Sequence, residues 1–70
     1  MATKDLAVAV ELMADGLANV EEAAEYLSMS RAKVYQLMET GKLAYVKIGR
    51  SRRIPRVSLR QLAASCLVTA

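Results

Sequence analysis

The 70-residue sequence predicts a small, mainly α-helical domain carrying one two-stranded β-hairpin, an α+β architecture. Three observations carry that expectation. Two short helix-patterned segments, three residues apart, each follow a capping residue, Asn19 and Ser30. The stretch LAYVKI, residues 43 to 48, alternates like a strand, meets Gly49-Arg50-Ser51 as a turn, and is followed by a returning strand from Arg52 to Pro55. Residues 57 to 68 then resume helical spacing.

In chain order, residues 3 to 15 read as a first helix. Thr3 is its N-cap, and Leu6, Val10, Met13 and Leu17 form a stripe at helical intervals before Gly16 stops it. Asn19-Val-Glu-Glu22 is a capping-box pattern, opening a helix from Val20 to Leu27. Ser28-Met29-Ser30 breaks the pattern. Ser30 caps a helix from Arg31 to about Thr40, with Val34, Leu37 and Met38 facing inward, and Gly41 ends it. Pro55 donates no ladder hydrogen bond, so it is expected at a strand end or edge. The last helix presents Leu59, Leu62, Ala63, Cys66 and Leu67 on one face. Residues 1–18 thus read as an accessory helix and 19–70 as the principal domain.

Composition excludes several functions. A chain this short buries only about 60% of its unfolded surface. Without Phe or Trp, its core must come from aliphatic residues, Met, Ala and three tyrosines. No uncharged apolar run approaches the roughly 20 residues that cross a bilayer. Asp5, Glu11 and Asp15 interrupt the apolar start, which does not fit a signal peptide. Lone Cys66 forms no internal disulfide, so a cytoplasmic, nucleoid-associated location is expected. With no histidine, neither a zinc centre nor a His-based nucleophile relay is expected, and no cofactor, metal or enzymatic activity is indicated.

Charge is unevenly spread. Residues 1 to 28 hold one lysine and six acids, whereas residues 29 to 60 hold nine lysines or arginines and one acid. Self-repulsion in the second segment is a cost that a polyanionic partner relieves.

The two short helices point to a helix-turn-helix. Ala24, Leu27, Met29, Val34 and Leu37 supply its wedge-shaped core, and Ser28 takes the turn position where glycine is usual. The second helix then projects Ser30, Arg31, Ala32, Tyr35, Gln36 and Glu39 outward, sized for a major groove roughly 12 Å wide. Arg31 suits a guanine edge or a phosphate, Gln36 an adenine, Ala32 a thymine methyl, and Lys33 the backbone. The amides at Ser30 and Arg31 offer a phosphate the helix N-terminus.

Residues 20 to 62, VEEAAEYLSMSRAKVYQLMETGKLAYVKIGRSRRIPRVSLRQL, resemble the excisionase-like, MerR-related winged helix-turn-helix DNA-binding domains. Glu22, Ala23, Ala24, Leu27, Met29, Ser30, Val34, Tyr35, Leu37, Gly41, Leu43, Lys47, Gly49, Arg50, Arg53, Ile54 and Leu59 carry the likeness. The family proline after Gly-x-Leu is here Ala44, Val57-Ser58 replaces an acidic pair, and the first 18 residues have no counterpart. The resemblance implies that YVKIGRSRRIPR is a wing. Arg50 and Arg52 near its tip would reach a minor groove, and Lys42, Lys47, Arg53 and Arg56 would meet phosphates. About six phosphates would be neutralised in all. It also implies sequence-selective double-stranded DNA binding in an excisionase role beside an integrase or recombinase, or a small transcriptional regulator of the same fold. It leaves room for a homo-oligomer on DNA and none for a membrane.

Blander readings stand beside these. The basic segment could be a solvated surface, or a protein-interaction module for an acidic partner. Tyr35 either packs its ring against the wing, offering only its hydroxyl, or contacts a base. Tyr45 reads as packing and Cys66 as a small buried apolar residue. The acidic N-terminal helix covers the core, dimerises, or docks on a neighbour's basic face.

Overall fold

The computed structural model of the protein describes residues 10, 11 and 13–69. The order is β1 (Leu17–Ala18), α1 (Val20–Leu27), α2 (Arg31–Glu39), β2 (Val46–Ile48), β3 (Ser51–Pro55) and α3 (Arg56–Ser65). The helix expected over 3–15 lies mostly outside the described residues. Val10 and Glu11 are helical and residues 13–15 form a turn.

Both central helices begin where their caps place them. Asn19 accepts from the Glu22 amide at 2.7 Å, and the Glu22 carboxylate accepts from the Asn19 amide at 3.0 Å, so two orphan donors are satisfied reciprocally. At α2 the Ser30 hydroxyl accepts from the Lys33 amide at 3.1 Å.

Both helices also end in the same way. The Met29 amide returns to the Ala24 carbonyl at 3.0 Å, and the Lys42 amide to the Leu37 carbonyl at 2.9 Å. Each closure needs a left-handed residue, Ser28 at φ 57° and Gly41 at φ 78°. Serine bears a steric cost there that glycine does not. Ser28→Gly is therefore expected to stabilise the fold by about 0.5–1 kcal/mol, read as a raised urea midpoint at unchanged slope.

The hairpin is tighter than the sequence indicates. Val46–Ile48 pair with Ser51–Arg53, leaving Gly49 and Arg50 as a two-residue loop. Gly49 at φ 61° leads it, which suits a turn matched to the right-handed strand twist. Residues 43–45 stay outside the strand, and Leu43 is instead buried in the core.

Among the described residues the sheet has three strands, not the two expected. The order is β1-β3-β2, all antiparallel, with Leu17 opposite Pro55 and Ala18 opposite Ile54. A two-residue strand carries no detectable alternation, so the sequence does not reveal it. Pro55 ends β3 and stands at the N-cap position of α3 without a side-chain cap bond.

Ala18, Val20, Ala23, Ala24, Val34, Met38, Leu43, Ile54 and Leu59 form the buried core. Leu27, Met29, Leu37 and Leu62 pack against it, so the wedge of the turn assembles as expected. The last helix departs from expectation: it stops at Ser65, and Ala63, Cys66 and Leu67 are exposed. Cys66 is thus a surface thiol, not a core residue. Leu59 and Leu62 take up the available core, and the chain runs beyond it.

Candidate nucleic-acid interface

The amphipathic turn aims α2 outward. Val34 and Met38 face the core, which leaves Arg31, Ala32, Lys33, Tyr35 and Gln36 exposed. Arg31, Tyr35 and Glu39 follow at intervals of four, one above another on a single stripe. That stripe faces the wing. Arg31 and Tyr35 line a cavity of about 450 Å³ with Arg50, Ser51, Arg52 and Arg53 of the hairpin and Asn19, Val20 and Glu21 at the start of α1. The helix end and the arginine-bearing ribbon thus share one concave surface.

Ion pairing sorts the nine cations of residues 29 to 60. Four meet carboxylates: Arg31 with Glu21 at 3.7 Å, Arg52 with Glu39 at 2.9 Å, Arg56 with Glu22 at 3.7 Å, and Arg60 with Asp15. Acids of the first 28 residues therefore neutralise part of the basic segment internally, which charge counting alone does not show. Lys33, Lys42, Lys47, Arg50 and Arg53 have no ion pair among the described residues. All but Lys42 lie on α2 or the hairpin.

The expected site residues occupy different settings. Arg50 stands in the hairpin loop, exposed. Lys47 lies opposite Arg52 and is exposed. Arg53 is half-buried and donates to the Arg52 carbonyl at 3.3 Å. Ser30 spends its hydroxyl on the cap, which leaves the amides of Arg31 and Ala32 at the open end of α2. Arg56, in the first turn of α3, turns to Glu22 and lies beside Gly16.

Arg52 is held differently from the rest. Its guanidinium stacks 4.8 Å from the Tyr45 ring centroid and 5.6 Å from that of Tyr35. The hydrogen bond with Glu39 holds its pKa above the ordinary arginine value. Its side chain is only 24% exposed, and Nη1 is buried without a hydrogen-bond partner. Sequence reasoning did not find this cluster. Its one visible signal is the hairpin register, which sets Tyr45 diagonally across from Arg52 on the same face. Tyr35 does pack toward the wing, through this arginine.

No helix among the described residues is long and apolar enough to cross a membrane. A curated protein of Saccharopolyspora erythraea, "Probable excisionase", is 48% identical over 48 residues, which cover 69% of this chain and 49% of that protein. The chain thus spans about half the length of that relative. No solved structure matches it. The family model "Helix-turn-helix domain" matches residues 19–67, taking in α1, α2, the hairpin and α3. The chain therefore belongs to the helix-turn-helix domain family.

Proposed function

We propose that the chain is a sequence-selective double-stranded DNA-binding protein of excisionase type, acting beside an integrase and performing no catalysis of its own. The observation that carries this reading is the shared cavity wall of Arg31 and Arg50, which lets one duplex meet both elements. Arg31, Ala32 and Gln36 read base edges in the major groove, and Tyr35 offers its hydroxyl to a phosphate. Arg50, at the tip of the wing, enters the neighbouring minor groove. Lys33, Lys42, Lys47 and Arg53 hold phosphates. The relative's name supports the excisionase role over that of a regulator of the same fold.

Selection from a random duplex pool, followed by salt titration on the enriched sequence, tests the reading. The five cations placed on the backbone or in the minor groove predict a log–log slope between about −4 and −5. Arg50→Ala is expected to weaken binding and reduce that slope by about 1. Absence of any enriched sequence, with salt-insensitive binding, would refute selective duplex recognition.

A further inference from the structure

We propose that Arg52 is a positioning residue that clamps the wing to α2 and thereby sets the gap between Arg31 and Arg50. The proposal rests on the DNA-binding reading above. Tyr35 and Glu39 sit one helical turn apart on the α2 stripe, with Arg31 a further turn toward the N-terminus. A single guanidinium from β3 stacks on Tyr35, bonds Glu39 at 2.9 Å, and stacks again on Tyr45 of the wing. The clamp therefore grips the later part of the stripe, while Arg31 faces the open cavity. A small swing of the hairpin about Arg52 would carry Arg50, two residues away, toward or away from Arg31.

Arginine is required by this geometry. Its planar group stacks on rings while its edge bonds a carboxylate, which a lysine ammonium cannot do. A solvated surface arginine would not bury Nη1 without an acceptor. Glu39 also has an unusual place: it is the sole acid of residues 29 to 60. Removing an acid near a DNA-binding face ordinarily strengthens binding. The clamp predicts the opposite.

The experiment measures duplex affinity against salt for Glu39→Gln, Arg52→Ala, Arg52→Lys and the Glu39→Gln/Arg52→Ala double variant. Each single change is expected to weaken binding on the order of tenfold at an unchanged salt slope. The double variant should lose little beyond either single one, because both break one interaction. Tyr45→Ala removes one of the two rings under the guanidinium, so it should also weaken binding at an unchanged slope, and it supplies a second test should Arg52→Ala fold poorly. The Arg52 guanidinium proton resonances report the stacking independently. They should be displaced by the rings in the parent and in Arg50→Ala, and move partway back in Tyr45→Ala, where the Tyr35 ring remains. Glu39→Gln binding as tightly as the parent or tighter, or a slope reduced by about 1 in Arg52→Ala, would overturn the clamp and make Arg52 a phosphate contact. A parent that binds no duplex overturns the DNA reading itself, while the resonances still decide whether the clamp exists.

Discussion

Ile54→Ala is expected to destabilise the protein by about 2–5 kcal/mol, the largest stability loss from one truncation in the sheet. Ile54 is fully buried on the central strand, and Ala18 lies across from it on β1. Its side chain lies in the core that the sheet and the helices share, so truncation leaves a cavity there. A core of nine buried residues among those described supplies little reserve, since domains of this size hold only about 3–5 kcal/mol. The variant should be substantially unfolded at room temperature, seen as loss of helical circular dichroism and of a cooperative urea transition. Ile48→Ala is the control. Ile48 is 56% exposed on the same hairpin, and its truncation should stay within about 0.5 kcal/mol. Equal melting of the two variants would contradict the position of the core.

Arg31→Ala is expected to cost about 1–3 kcal/mol of duplex affinity and to relax base preference at one position. The side chain stands at the open end of α2, 62% exposed. Its contact with Glu21 is long, at 3.7 Å, and solvated, so it contributes little to folding. DNA can therefore take the guanidinium from Glu21 at small cost, and the melting temperature should be unchanged. Competition binding on the selected sequence and on its single-base variants checks both parts. A uniform loss across all sequences would assign Arg31 to a phosphate instead of a base.

Much of the fold was legible because its punctuation is local. Asn19 with Glu22, Ser30, Gly41 and the Gly49 turn each act within four residues, and each appears where the sequence indicates. The inward faces of α1 and α2 follow from helical spacing for the same reason. What was not legible depends on distant partners or on volume. Leu17–Ala18 become a strand only because the edge of β3 is free to receive them. Cys66 has the spacing of a core residue, yet the core ends before it. For the candidate site, the sequence indicated which residues are basic and which elements bear them. It did not separate Arg52 and Arg56, which engage carboxylates, from Lys47 and Arg50, which do not among the described residues. That separation depends on Glu39 and Glu22, brought near only by the tertiary fold.

The short strand β1 has a practical consequence for anyone trimming the protein. A fragment cut to the family-matched span would begin at Asn19 and shed Leu17 and Ala18. It would uncover Ile54 and leave the main-chain groups at the end of β3, across from Leu17 and Ala18, without their partners. An open edge of that kind recruits strands from other molecules and favours aggregation. The smallest well-behaved piece therefore starts upstream of the recognisable motif, early enough to keep Asp15 on Arg60 as well.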